Sequence, residues 1–250
     1  MIHSILIIGQ SNMAGRGNID EVEPICNDKI KVLKNGRWQD MFVPVNFDRS
    51  FAGINLVESF ADLYSKDHDA EVGIIPCADG GTSIDQWQVG GLLFDHACYM
   101  AELASRTSTI AAVLWHQGES DCPKDKYPLY EEKLTVVLNA FRKRLNLYDV
   151  PFLVGGLGDY LKDCKYPGEL ENYPYVNEAL KSVAEKNKMV GFVSAEGLGA
   201  NDDNLHFSAK ALREFGERYY NEFTKIEDKN KIFAEKDTPD NAIRTHIDHL

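Results

Sequence analysis

A chain of 250 residues, 44% hydrophobic and 26% charged, has the length and composition of one well-cored globular domain and is short for two. Its formal net charge of −12 argues against nucleic acid or an anionic membrane as partner, since both require clustered Lys and Arg. Five scattered cysteines, Cys26, Cys77, Cys98, Cys122 and Cys164, contain no CxxC pair and signal neither a disulfide framework nor a zinc site.

In chain order, the apolar run Ser4–Ile8 reads as a first buried strand and breaks into "GQSNMAGRG", a polar trio set among glycines. Residues 18–50 interrupt the rhythm. Lys31–Leu33 and Arg37–Gln39 flank Asn35-Gly36, the favoured pair for a type I′ turn, so this segment is expected to be a hairpin-bearing insertion at the rim of the sheet and cleft. Residues 51–65 carry Ile54, Val57, Phe60, Ala61 and Tyr64 on one helical face. Strands follow at Glu71–Pro76, Ala111–Trp115, Pro151–Gly155 and Met189–Ala195, with helices near 94–107, 126–146, 173–188 and 208–224. This alternation predicts an α/β fold, a five-stranded parallel sheet with helices on both faces, spanning residues 1–225 as a single domain. Residues 226–250 turn polar and read as a tail, in which His246 and His249 only superficially resemble a metal pair. The short apolar start lacks a basic n-region and no run reaches the ~18 apolar residues of a spanning helix, which predicts a cytoplasmic protein.

Ligands of an open parallel sheet sit beyond the carboxyl ends of its strands. There the chain places Gln10-Ser11-Asn12, then Gly80-Gly81, then His116-Gln117-Gly118-Glu119, and past the fifth strand Asp203-x-x-His206. A serine hydroxyl needs a base within hydrogen-bond reach, and an aspartate three residues before a histidine can fix its tautomer. Asp202, four residues away, is the less suitable partner. The N–H groups of Ser11 and of Gly80 or Gly81, with the Gln117 side chain, could stabilise an oxyanion if the loops converge. Trp115 is expected in the core, and Trp87 at the cleft, where it could stack on a sugar or merely anchor its loop. Arg16 is expected to tie the first loop to the insertion, and His116 and Glu119 to order the Gln117 loop.

The blocks "GQSNMAGRG", "GGTSIDQW", "WHQGESD" and "DNLHFS", in this order, resemble the SGNH-hydrolase superfamily, and within it the sialate O-acetylesterase-like and acetylxylan-esterase branch, carbohydrate esterase family 6. The likeness spans roughly residues 4 to 220. It implies a flavodoxin-like three-layer α/β/α sandwich and removal of O-acetyl groups from an acetylated carbohydrate, such as a xylo-oligosaccharide or sialic acid, through an acyl-enzyme. It also implies Ser11 as nucleophile, His206 as base and Asp203 as its orienting acid, and an oxyanion hole built from Ser11, the Gly81 region and Gln117. No metal or cofactor is implied. The superfamily at large has asparagine where this chain has Gln117, and this branch has glutamine. Two rivals stand beside this reading. One is metal-assisted hydrolysis through His116, Glu119, Asp121 and His206, although H-x-x-E lacks the helical spacing of H-E-x-x-H. The other is a catalytically silent carbohydrate-binding or regulatory module.

Overall fold

The computed structural model describes residues 1–227, so His246 and His249 lie outside the described residues. Strands β1 (Ile2–Gly9), β4 (Glu71–Pro76), β5 (Ser108–His116), β6 (Phe152–Gly155) and β7 (Val190–Val193) form the expected parallel sheet. The expected count of five needs correction. Strands β2 (Ile30–Lys34) and β3 (Arg37–Asp40) extend the same sheet to seven, in the order β3-β2-β4-β1-β5-β6-β7. The Asn35-Gly36 turn sits at positive φ, 53° and 75°, as a type I′ hairpin demands. Val32 pairs in parallel with Ile74, so the hairpin joins the sheet at its edge, the rim position expected of it.

Alternation along β1 explains the layers. Ile2, Leu6 and Ile8 enter one core, under α3 (Leu92–Ala104), α4 (Tyr130–Leu145) and α5 (Tyr173–Lys186). Ile5 and Ile7 enter the other, under α2 (Leu56–His68) and α6 (Ala209–Ile226). Both faces of a strand are thereby buried, and its sequence reads as a continuous apolar run. The second helix starts later than its periodicity predicts, because Asn55 caps it. Its side chain accepts Val57 N–H at 2.8 Å, and Glu58 reaches back to Asn55 N–H at 2.8 Å. Glu58 is buried and also takes Arg213 of α6 at 2.6 Å, which ties the two helices together.

The chain builds β2 and β4 on one side of β1 and β5, β6 and β7 on the other, so strand order reverses at β1. The crevice expected at such a reversal opens where Ser11 begins the one-turn helix α1 (Ser11–Ala14). Gly9 sets this exit. Its φ is +136°, and a Cβ there would lie 2.0 Å from the His116 carbonyl oxygen, so a side chain would force β1 and β5 apart.

Candidate active site

Ser11 Oγ lies 3.0 Å from His206 Nε2, and His206 Nδ1 lies 2.6 Å from Asp203 Oδ2. The aspartate is fixed in turn, its other oxygen accepting the N–H groups of Leu205 at 2.9 Å and His206 at 3.0 Å. Partial burial alone would raise the Asp203 pKa. The two backbone donors and the imidazole outweigh it, so the carboxyl stays below its ordinary value and ionised at neutral pH. Asp203, not Asp202, is therefore the partner of His206. Asn12 holds the two distant segments together: its Oδ1 accepts Phe207 N–H at 3.0 Å, while its Nδ2 donates to Glu119 Oε1 at 2.6 Å and Leu205 O at 3.2 Å.

Ser11 and His206 line a cavity of about 620 Å³ together with Gln10, Gly81, Phe51 and Tyr166. That volume suits a small ligand such as a sugar unit (sites of about 300–1,000 Å³ are usual). Phe51 is 69% exposed and Tyr166 57% exposed, both unusually open for aromatic side chains. Phe51 also lies against the Arg16 guanidinium, whose carbon is 5.2 Å from the ring centre.

The N–H groups expected to serve an oxyanion differ in whether they are free to do so. Gly80 N–H is already donated to Asp48 Oδ2 at 2.9 Å, and Asp48 is itself held by Arg16, the bridge expected between first loop and insertion. Gly81, at φ +79°, and Ser11 find no acceptor for their N–H groups among the described residues. Gln117 is fully buried and absent from the cavity wall; its Nε2 lies within 3.1 Å of Gln10 Oε1, Thr82 O and Asp121 Oδ2.

Of the two alternatives for Trp87, the structure shows the packed anchor. It is fully buried, donates to Thr82 Oγ1 at 3.1 Å and packs edge-on against Trp115, 5.5 Å between ring centres. Its place is the core, where such a ring contributes roughly 3–5 kcal/mol. His116 is buried, and its Nε2 donates to Gly156 O at 3.1 Å. Burial lowers its pKa and keeps the ring neutral. It therefore supports the strand ends and does not reach the cavity, whereas Glu119 does line it. His116, Glu119, Asp121 and His206 do not converge as a ligand set. Among the described residues the ligating atoms that gather within 4.8 Å belong to Asp67, His68 and Glu227, elsewhere in the fold. Asp48, Phe51 and Tyr166 were not legible as site residues, because each lies in a polar loop with no motif around it.

Residues 2–225 match the profile of a family described as carbohydrate esterase, sialic acid-specific acetylesterase. The chain belongs to that family. As a member of this carbohydrate esterase family it is a carboxylic ester hydrolase acting on acetylated carbohydrate. The probable carbohydrate esterase At4g34215 of Arabidopsis thaliana is 27% identical over 240 residues, 84% of this chain and 86% of that protein. Its crystal structure superposes with a TM-score of 0.80, covering 90% of this chain and 99% of the other. More distant in sequence, NanS shares the fold at 18% identity and a TM-score of 0.67 over 90% and 97% of the two chains. A variant of Axe2, an acetyl-xylooligosaccharide esterase from Geobacillus Stearmophilus, does so at 14% and 0.56 over 88% and 94%. The architecture of this carbohydrate esterase is thus the SGNH-hydrolase sandwich with an enlarged sheet.

Proposed function

We propose that this carbohydrate esterase removes O-acetyl groups by a serine mechanism centred on Ser11. The observation that carries the reading is the 3.0 Å approach of Ser11 Oγ to an imidazole whose other nitrogen is held by an ionised aspartate. In the first half-reaction Ser11 Oγ forms a bond to the acetyl carbon as its proton passes to His206 Nε2, and the carbonyl electron pair moves onto oxygen. The N–H groups of Ser11 and Gly81 stabilise that oxyanion. When the pair returns, the bond to the sugar oxygen breaks, and the imidazolium supplies the proton that the departing alcohol needs. Water, deprotonated by His206, then attacks the acetyl carbon; as the bond to Ser11 Oγ breaks, the imidazolium returns the proton to that oxygen, and acetic acid leaves and ionises.

The substrate is proposed to be an acetylated sugar of the xylo-oligosaccharide or sialic acid type. Support comes from the open aromatic faces of Phe51 and Tyr166 at the cavity, which offer a sugar ring the stacking surface that the buried Trp87 does not. Residues 1–225 act as one esterase unit, with the Asp48 side chain of the 18–50 segment buried behind the cleft, where it holds the Gly80 N–H. Acetate release from a panel of acetylated sugars, repeated with Ser11→Ala, tests the reading. Turnover that survives the substitution sinks the mechanism, and no turnover on any ester favours a silent binding module.

A further inference from the structure

Two glutamine carboxamides meet behind the nucleophile, and their hydrogen bonds separate their duties. Around Gln117 Nε2 stand three acceptors: Gln10 Oε1 at 3.1 Å, Thr82 O at 3.0 Å and Asp121 Oδ2 at 2.6 Å. Two amide hydrogens cannot serve more, and the residue is wholly buried. Flipping this amide would aim its oxygen at three other oxygens, so the hydrogen-bond network fixes its orientation. Gln10 is the mirror case. Its Oε1 collects the Gln117 amide and the N–H groups of Gly118 at 3.2 Å and Ser120 at 3.4 Å, three donors on one oxygen. Its own Nε2 has no acceptor among the described residues, yet Gln10 is only 3% exposed and borders the cavity beside Ser11. An amide donor without a protein partner at the wall of this open cavity is left for whatever the cavity binds to accept.

We propose that Gln10 Nε2, not Gln117 Nε2, is the side-chain donor to the acetyl carbonyl oxygen during attack. The proposal rests on Ser11 being the nucleophile and completes the oxyanion hole begun by the Ser11 and Gly81 N–H groups. Gln117 becomes a positioning residue: its amide, anchored by Asp121 and Thr82, helps hold the Gln10 oxygen and thereby aims the nitrogen. No atom is gained or lost through Gln10; it donates a hydrogen bond that strengthens as the carbonyl oxygen becomes negative.

The substitution Gln10→Glu tests this on the intact protein, because it keeps an oxygen for the three N–H donors while replacing the donor by an acceptor. Steady-state release of acetate should show kcat lowered roughly 10²–10³-fold with KM changed less than about threefold. Affinity for an aryl boronate, whose Ser11 adduct places an oxygen in the hole, should fall in parallel. A merely structural Gln10 predicts the opposite pattern, with Gln10→Glu near full activity and only Gln10→Ala impaired; that result overturns the proposal. If Gln10→Glu does not fold, Gln10→Ala is read by the boronate, and lost kcat with undiminished boronate affinity also overturns it. Ser11→Ala separates the levels: if Ser11→Ala is inactive while Gln10→Glu is fully active, only this inference fails, whereas an active Ser11→Ala removes the esterase mechanism itself.

Discussion

Two close histidine–carboxylate pairs among the described residues stand at opposite ends of the sheet. At the carboxyl ends of the strands His206 meets Asp203 at 2.6 Å. At the amino ends, where α2 and α6 finish, His68 Nε2 meets Glu227 Oε2 at 2.8 Å. The second imidazole stacks flat on Tyr64, 4.0 Å between centres, and Tyr64 in turn hydrogen-bonds His3 at 2.9 Å. Its ring packs into aromatic core, against Tyr64 and Phe223, rather than beside Ser11 and the cavity in front of it. An aspartate or glutamate on an imidazole therefore orients a ring and does no more. Chemistry requires the third group and the space in front of it.

Breaking the triad should produce the largest effect. Ser11→Ala or His206→Ala is expected to lower kcat for acetyl ester hydrolysis by 10³-fold or more, an order-of-magnitude expectation, with the thermal midpoint little changed. Asp203→Asn should cost less than either, by about an order of magnitude or more, since Asp203 orients and does not react. A ranking with Asp203 most severe would mean the roles are assigned wrongly. Phe51→Ala and Tyr166→Ala sharpen the picture of the cavity. Each should reduce the ratio of kcat/KM on an acetylated xyloside to that on methyl acetate by roughly fivefold, the scale of a lost aromatic contact. An unchanged ratio would remove both from the sugar site.

The smallest effect belongs to the other end of the sheet. Burial, then the charges of His68 and the N-terminus, push the His3 pKa down from 6.5 to about 4. A histidine depressed in the folded state binds more protons when unfolded, so stability is full above pH 6.5 and declines as pH falls toward 4. Denaturant titrations at several pH values should show that decline, and His3→Gln should flatten it without touching turnover. An equal acid loss in His3→Gln would place the sensitivity elsewhere.

What could be read from sequence follows from how local each signal is. Apolar runs gave the five parallel strands, and D-x-x-H with the glycine-flanked Ser11 marked three side chains that the fold brings within hydrogen-bond reach, because those features are written in consecutive residues. The β2–β3 hairpin was visible through Asn35-Gly36, but its pairing with β4 was not, since short amphipathic strands do not announce their neighbours. Trp87 stayed open between two alternatives because a tryptophan after a glycine loop reads the same whether it faces sugar or Trp115. The duties of Gln10 and Gln117 were invisible for a deeper reason: a carboxamide is both donor and acceptor, and only its surroundings decide which end is spent.

Ser11 and His206 stand 195 positions apart, and the loop bearing the histidine is caught by Asn12, next to the serine. Hydrolysis by the proposed mechanism is consequently a property of the whole fold. Strand β1 can present the hydroxyl, but the base arrives from the far end of the chain, so any change that unseats the 203–206 loop from Asn12 would leave the serine without its proton acceptor.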